Sequence, residues 1–293
     1  MLPAAQYSHP MPELPELEAL VAAIVPHVTA APVIRTPRAH FAVLKTGAPP
    51  LGELTGRTFD GVRRRGKHLL FDTGDLTLAV HLMTMGRIGW YAPETAKRPK
   101  TPVLEVHFSD GGALLATEGG TRKSMRVGLY DATGLEGLLG HLGPEPLDDA
   151  FDFAALEAVL DHAPRQLNAL LRDGRAIAGI GRAFADEILH AAMLSPFTIS
   201  TRLDADGRTR LATAIREVLE RGIAECNERQ GLVLPLRNDG RLLRIHGHDG
   251  EPCPRCGETL RFIDFESNRI VYCPRCQTGG KVLADRRMSK LLR

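Results

Sequence analysis

The chain has 293 residues, of which 43% are hydrophobic and 25% are charged, a composition typical of a globular protein long enough for two domains. Its 37 basic and 35 acidic residues give a formal net charge of +2, so charge balance alone does not indicate a nucleic-acid partner. The longest apolar run, residues 19–25, is too short to cross a membrane, and residues 1–10 lack the basic head and apolar core of a secretion signal. These features exclude a membrane protein and predict a cytoplasmic one.

The first predicted element is a helix that follows Met11, Pro12 and Glu13. Pro15 suits a first helical position, and an apolar stripe with helical spacing follows at residues 17, 20, 21 and 24. If the mature chain begins at Pro12, its ring nitrogen is a free secondary amine with a pKa of about 8, which is a nucleophile near neutral pH. Glu13 would then transfer protons. The alternative role of both prolines is to stiffen the entry to the helix.

Residues 11–18 resemble the N-terminal signature of the formamidopyrimidine-DNA glycosylase and endonuclease VIII family, whose members begin Met-Pro-Glu. The resemblance implies that Pro12 is the catalytic nucleophile and that Glu13 is its partner. Residues 1–10 depart from this pattern, because the Pro12 nitrogen is an unreactive amide while they are attached. We therefore expect Met11 to be the true start. A leader that is removed and a catalytically inactive protein are the alternatives.

The first half of the chain predicts strands, because short apolar segments alternate with Gly- and Asp-containing turns. The predicted strands are residues 67–72, 76–82, 103–108 and 113–117. Successive strands without intervening helices favour a β-sandwich over a doubly wound sheet. Within them, residues 64–71 resemble the family segment whose lysine binds a DNA phosphate beside the lesion, which implies this role for Lys67. Its structural alternative is a surface lysine that caps a strand.

Two further segments correspond to loops with which the family fills the space left by an extruded base. Residues 81–87 stand where the family carries His-Leu-Gly-Met, and Thr84 occupies the place of that Met between Met83 and Met85. Either Met equally suits core packing. Residues 118–128 replace the family loop Asp-Pro-Arg-Arg-Phe-Gly without its aromatic residue. The resemblance implies that Arg126 contacts the orphaned partner base.

Beyond a proline-containing linker at residues 142–147 the pattern changes to helices, at residues 151–160, 166–171, 183–192 and 208–225. Glycines at 179 and 181 precede the third helix and allow backbone N–H groups to approach an anion. Residues 177–189 resemble the family's helix-two-turns-helix, which implies that Arg182, at the position of a family Asn, binds phosphate. We interpret Glu187 as a buried helix-capping carboxylate. A cleft between the β module and this helical module would suit a DNA duplex.

The strongest signal is a pair of Cys-x-x-Cys motifs, formed by Cys253 with Cys256 and by Cys273 with Cys276. Sixteen residues separate the motifs, and four thiolates at this spacing predict a structural zinc site without an open coordination position. A single redox motif or secreted disulfides fit the chain less well. The fifth cysteine, Cys226, is expected only to pack.

Residues 260–265 and 269–272 between the motifs predict a hairpin, so the segment is a zinc ribbon. In the family, an arginine five residues before the third Cys binds the phosphates that flank the lesion. Asn268 occupies this position, and we expect Arg269 to substitute for it from an exposed hairpin tip. A shift of one residue along a strand reverses the side-chain direction, so this substitution requires a turn or bulge.

We therefore predict an α+β multidomain protein with an N-terminal β-sandwich and flanking helices, a helix-two-turns-helix domain and a C-terminal zinc ribbon. Its parts are an extension at 1–10, a catalytic domain at 11–146, a DNA-binding domain at 147–236, the ribbon at 237–280 and a basic tail at 281–293.

The resemblance implies a monomeric base-excision-repair glycosylase and AP lyase that acts on double-stranded DNA and removes formamidopyrimidine or 8-oxoguanine bases. Two alternatives stay open. An endonuclease VIII-like enzyme for oxidised pyrimidines fits the short segment between Cys226 and Cys253. A non-catalytic damaged-DNA-binding protein fits a Pro12 that is blocked by residues 1–10.

Overall fold

The structure is a computed structural model that describes residues 11–95, 97–229, 231–234, 243–265 and 268–283. Its backbone contacts divide the chain into two units, residues 1–142 with 222–241 and residues 143–221 with 242–293. The predicted extension 1–10, the predicted boundary between residues 236 and 237, and residues 284–293 of the predicted tail lie outside the described residues. Among the described residues, no helix combines the length and the hydropathy that a membrane crossing requires.

The helices are α1 (Leu14–Val28), α2 (Ala132–Leu139), α3 (Phe153–Asp161), α4 (Leu167–Arg172), α5 (Arg182–Ala191), α6 (Ala205–Arg229) and α7 (Pro274–Thr278). Short 3-10 helices cover Leu51–Leu54 and Ser200–Arg202. The strands are β1 (Arg38–Ala39), β2 (Gly61–Arg65), β3 (His68–Thr73), β4 (Leu76–His81), β5 (Gly86–Tyr91), β6 (Leu104–His107), β7 (Ala113–Glu118), β8 (Arg126–Tyr130), β9 (Arg261–Phe265) and β10 (Asn268–Tyr272).

The first unit contains two antiparallel four-stranded sheets, with strand orders β1-β6-β7-β5 and β2-β3-β4-β8. Their inner faces share one apolar core, in which Phe59 packs against Phe71 of one sheet and Phe108 beside the other. The helix α1 adds Leu17 and Leu20 to the same core. The predicted β-sandwich with a flanking helix is therefore confirmed.

The sheet that contains β3 is buried on both faces. Leu69 and Phe71 point into the sandwich core, while Leu70 and Ala79 pack against Leu139 of α2 on the other face. A strand that is covered on both sides has a continuous apolar sequence, which is why β3 and β4 were predictable. The strands β2, β5 and β8 were not predicted, because arginines and glycines interrupt their sequences and pairing with neighbouring strands holds them in place.

The second unit contains α3, α4 and α5, most of α6, and the β9–β10 hairpin followed by α7. The four helices predicted for this part of the chain are all present, and α6 extends beyond both predicted ends. The hairpin pairs in antiparallel register from Arg261 with Tyr272 to Phe265 with Asn268. The predicted order of helices followed by a ribbon is confirmed.

Replacement of a core aromatic residue should destabilise the first unit strongly. Phe71 is fully buried, so Phe71→Ala leaves a cavity and should lower the free energy of unfolding by about 3 to 5 kcal/mol. Phe41→Ala is the control, because Phe41 is 85% exposed and its loss should change that free energy by less than about 0.5 kcal/mol. Urea unfolding of both variants measures the difference, and equal effects would contradict the assigned core.

Candidate functional site

Pro12 and Glu13 lie directly before α1, in a geometry that the local sequence fixes. Glu13 is the N-cap residue, and its backbone N–H donates to the Glu16 carboxylate at 2.8 Å. The Glu13 carboxylate in turn accepts from the Glu16 backbone N–H, which completes a capping box. Pro12 is buried, and Glu13 is only 2% exposed. The helix start therefore orders both residues predicted as nucleophile and proton carrier.

Lys67 lies in the two-residue turn that joins β2 to β3. Gly66 precedes it with a φ of 58°, the value that a type II′ turn requires at its first central position. Arg65 and His68 pair across the turn, and Lys67 is half-buried. The predicted strand 67–72 begins one residue later, at His68, so Lys67 belongs to the turn before the strand. Its role toward phosphate stays a prediction.

The basic cluster around Lys67 is partly neutralised inside its own unit. Arg64 forms an ion pair with Glu18 of α1, and Arg63 forms one with Asp72 of β3, each with a nitrogen–oxygen distance of 2.7 Å. The Arg65 guanidinium donates to the Leu142 carbonyl at 3.0 Å. The three arginines that precede Lys67 therefore have partners within the first unit.

Strand register brings together a row of basic residues that the sequence did not reveal as a group. Arg65, His68, His81 and Arg126 are successive cross-strand neighbours on β2, β3, β4 and β8. The His68 and His81 rings meet edge to face, with centroids 4.6 Å apart. Because 12 residues lie between the two histidines in the chain, only the hairpin pairing could show that they touch.

Burial lowers the pKa of His68 to about 4 and that of His81 to about 3, and the basic neighbours add to both shifts. Both rings are therefore neutral at pH 7. The His81 Nδ1 accepts the Met83 backbone N–H at 3.1 Å, which places the ring proton on Nε2. His68 Nδ1 has no hydrogen-bond partner among the described residues.

The loop between β4 and β5 carries the predicted wedge residues. Met83 has a φ of 52°, the left-handed region that favours glycine, and it stands where the family motif has Gly. The buried Arg87 guanidinium donates to the carbonyls of Thr84 and Gly86, and these hydrogen bonds stabilise the loop conformation. Thr84, like both flanking methionines, is half-buried. The contacts do not select one of these residues as the wedge.

Arg126 is not a loop residue, so the interpretation of its segment needs correction. It begins β8, where it is exposed and paired with His81. The loop ends at Met125, and the buried Glu118 carboxylate holds it by accepting the backbone N–H groups of Ser124 and Met125. Arg122 is exposed within this loop, and no sequence pattern distinguishes it from the other arginines of the chain.

Arg182 is the first residue of α5, as the glycine pattern predicted. Gly179 has a φ of 85°, and Gly181 is the N-cap residue, so the chain turns sharply into a ten-residue helix. The N-terminus of such a helix attracts anions. The position of Arg182 is therefore compatible with its predicted phosphate contact.

Glu187 does not cap a helix, contrary to expectation. Its Oε1 accepts three backbone N–H groups, from Arg244, Ile245 and His246, at 2.9 to 3.0 Å. The neighbouring Asp186 accepts from the His246 ring at 2.7 Å and, in the ribbon, from a strand N–H. Both carboxylates are buried, so they anchor the ribbon and the segment before it to α5.

Arg269 is not at an exposed hairpin tip, which corrects the premise of its prediction. It lies within β10 opposite Asp264, and its guanidinium forms ion pairs with Asp264 and Asp249 at 3.1 and 3.2 Å. It also stacks over the Phe262 ring at 3.9 Å. Binding of a DNA phosphate by Arg269 would have to compete with both carboxylates, and this role stays a prediction.

The two Cys-x-x-Cys motifs converge on one metal-binding site. The Sγ atoms of Cys253, Cys256, Cys273 and Cys276 all lie within 4.8 Å of one another. Across the two motifs, the sulfur atoms of Cys256 and Cys273 are 3.5 Å apart, near the separation of about 3.8 Å that a tetrahedral Zn–S length of about 2.3 Å gives. Burial raises the pKa of the Cys273 and Cys276 thiols, so a bound cation would be needed to hold these two sulfurs as thiolates near neutral pH. The cysteines therefore fit a tetrahedral metal ion.

Comparison with known proteins identifies the domains to which these features correspond. The family model described as the formamidopyrimidine-DNA glycosylase N-terminal domain matches residues 11–124, and the formamidopyrimidine-DNA glycosylase H2TH domain matches residues 142–230. The chain is 36% identical to the formamidopyrimidine-DNA glycosylase of Moorella thermoacetica over 264 residues, which are 86% of this chain and 94% of the relative.

Solved structures give the same result. MutM in complex with DNA that contains carbocyclic 8-oxo-G matches with a TM-score of 0.79 and 29% identity, over 91% of this chain and 100% of that chain. Lactococcus lactis Fpg in complex with DNA that contains an abasic site matches with a TM-score of 0.78 and 28% identity, over 91% of this chain and 99% of that chain.

Substitution of a clustered cysteine should lower the metal content of the protein, whereas substitution of the fifth cysteine should not. Cys256→Ser or Cys273→Ser should reduce the metal content of the purified protein from one ion per chain to well below one, because a hydroxyl is a poor soft-metal ligand. Cys226→Ser should retain the full ion, because Cys226 lies outside the cluster. Elemental analysis measures the content, and equal loss in all three variants would contradict the site.

The histidine pair should make stability depend on pH. The folded pKa values of about 4 and 3 lie below the unfolded value of 6.5, so the unfolded chain binds more protons as the pH falls from 6.5 toward 4. The free energy of unfolding therefore decreases in that window, by about 2 kcal/mol for His68 at about pH 5. Urea unfolding at about pH 7.5 and pH 5 should show a smaller decrease for His68→Gln. The exposed His162→Gln is the control, and identical decreases in both variants would refute the assignment.

Proposed function

Because this chain belongs to the formamidopyrimidine-DNA glycosylase family, we propose that it is a base-excision-repair DNA glycosylase with AP lyase activity. Its substrate is double-stranded DNA that carries oxidised bases or abasic sites. Relatives that match almost over their whole length are named formamidopyrimidine-DNA glycosylase, and matching solved structures contain 8-oxo-G or abasic-site DNA. The observation that carries the proposal is the capped Pro12-Glu13 pair at the start of α1.

In the proposed mechanism the active chain begins at Pro12. The lone pair of its ring nitrogen forms a bond to C1′ of the damaged nucleotide, and the bond between C1′ and the base breaks as the base leaves with a proton. Glu13 transfers protons while the sugar ring opens and an iminium forms. The iminium acidifies the C2′ hydrogen, so its removal expels the 3′ phosphate, and a second elimination expels the 5′ phosphate.

The remaining predicted residues position the DNA. Lys67 and Arg182 bind backbone phosphates, one from a tight turn and the other from a helix N-terminus. Arg269 is assigned to the phosphates that flank the lesion, through exchange of its carboxylate partners. Arg126 is assigned to the orphaned partner base. Arg122 is a second candidate for that contact, because it is exposed on the loop itself.

The metal of the four-cysteine site is proposed to be zinc. Four thiolates in tetrahedral arrangement are a typical ligand set for structural zinc, and they leave no position for a water ligand. When bound, zinc contributes folding energy to the ribbon and takes no part in base removal. The protein is proposed to act as a monomer.

Purine lesions are the proposed substrates, because residues 11–16, Met-Pro-Glu-Leu-Pro-Glu, are more similar to the purine-excising branch of the family. Oxidised pyrimidines are the alternative. In favour of them, the segment from Cys226 to Cys253 is short and lacks the Gly-Gly-Thr-Thr turn of the purine-excising branch. A kinetic comparison of 8-oxoguanine and oxidised-pyrimidine duplexes distinguishes the two substrates.

Borohydride reduction should trap the enzyme on abasic-site DNA only when Pro12 is the N-terminal residue. A chain that begins at Pro12 should form a covalent adduct, because its secondary amine yields a reducible iminium. The same chain with residues 1–11 attached should form none, because its Pro12 nitrogen is an amide. Denaturing electrophoresis of labelled DNA measures the adduct.

A Glu13→Gln variant of the chain that begins at Pro12 tests the proposed proton transfer. It should lose on the order of 100-fold or more in excision of a damaged base, because the amide cannot transfer the protons. Absence of an adduct from the correctly started chain would refute the lyase. Native protein that retains Met1 and still binds damaged DNA would support the non-catalytic alternative.

A further inference from the structure

The helix α5 carries a buried histidine beside the metal site that the mechanism above does not use. His190 lies near the C-terminal end of α5 and is 5% exposed. Its Nε2 is 3.2 Å from the Sγ of Cys253, which is also buried. This distance is within the range for a hydrogen bond to sulfur.

His190 is a neighbour of the metal site and not a ligand. The four sulfur atoms form a complete group of mutually close ligand atoms, and among the described residues no histidine belongs to that group. Four ligands fill the tetrahedral positions of a structural zinc ion. A metal-bound thiolate carries no proton, so the only hydrogen bond between the two atoms is one in which His190 Nε2–H donates to sulfur.

The surroundings hold His190 in this position. The Arg255 guanidinium, two residues after Cys253, donates to the carbonyls of His190 and Ala191 at 2.8 and 3.2 Å. One turn earlier on α5, Asp186 and Glu187 accept backbone N–H groups of the ribbon and of the segment before it. Hydrogen bonds at His190 itself and one turn earlier on α5 therefore hold the His190 ring beside Cys253.

We propose that His190 is a positioning residue of the metal centre, whose Nε2–H stabilises the Cys253 thiolate and slows loss of the metal. The proposal rests on the zinc site proposed above. A hydrogen bond to a buried ligand sulfur stabilises its negative charge where water cannot, and removal of such outer-shell partners typically costs 10- to 100-fold in metal affinity.

The contact also links the metal to the predicted DNA-binding part of the same helix. Arg182 begins α5 and His190 lies eight residues later on the same ten-residue helix. A hydrogen bond at one end of a rigid helix helps to fix the other end.

Three variants of the full chain test the role. His190→Phe keeps an aromatic ring of similar size but removes the donor, while His190→Gln can place an amide N–H near the position of Nε2. Arg255→Ala removes a contact between α5 and the ribbon without removing the donor to sulfur. Thermal unfolding of each zinc-loaded variant establishes that it is folded.

The first measurement is the rate of zinc release to a coloured chelator. His190→Phe should release zinc about 10-fold faster or more, while His190→Gln should stay within about threefold of the unmodified protein. Cobalt-loaded protein gives the second measurement, since the sulfur-to-cobalt charge-transfer bands report on sulfur electron density. These bands should shift in His190→Phe and shift less in Arg255→Ala, which loosens the support of the donor but keeps the donor itself.

Release from His190→Phe within about twofold of the unmodified protein would overturn the proposal. So would equal acceleration in Arg255→Ala, which would show that docking of the ribbon and not the bond to sulfur retains the metal. Failure of the unmodified protein to bind zinc would overturn the metal site as well. The borohydride test is independent of these outcomes, so a failure of the glycosylase proposal would be seen separately.

Discussion

The reciprocal hydrogen bonds between Glu13 and Glu16 are the constraint on which the proposed chemistry depends. They fix the backbone at the start of α1, and the apolar face of that helix is buried in the sandwich core through residues such as Leu17 and Leu20. A secondary amine is an effective nucleophile only if its orientation toward C1′ is fixed before reaction. In this chain the orientation derives from a capped helix start, which in turn is held by hydrophobic packing.

The second organising constraint is the register of the β2-β3-β4-β8 sheet. It aligns Arg65, His68, His81 and Arg126 at one end of four strands, beside the turn that carries Lys67. Burial keeps the two imidazoles neutral, so the row combines fixed charges with a neutral donor on His81.

In the second unit, α5 positions both a predicted phosphate-binding residue and the residues that contact the ribbon. Its first residue is Arg182, and its buried side chains Asp186, Glu187 and His190 contact the ribbon and the segment before it. Buried carboxylates are costly unless they are fully hydrogen-bonded, and these two accept several backbone and ring N–H groups. One helix thus connects a predicted phosphate contact with the metal site.

The sequence by itself determined the local features. Helix α1, the apolar strands β3 and β4, the helices of the second unit and the pairing of two Cys-x-x-Cys motifs all depend on residues that are close in the chain. The same holds for Pro12 and Glu13, whose geometry is set within four residues by the capping box. Periodicity, capping and ligand spacing are local, so they can be recognised from sequence.

Only the tertiary structure decided what depends on distant contacts. It assigned Glu187 to the N–H groups of residues 244–246, moved Arg126 from a loop into β8, and enclosed Arg269 between Asp249 and Asp264. The His68–His81 contact and the bond from His190 to Cys253 likewise join residues that no local pattern relates. The physical reason is that strand register and side-chain packing select partners by position in space, and the identity of a residue does not encode that position.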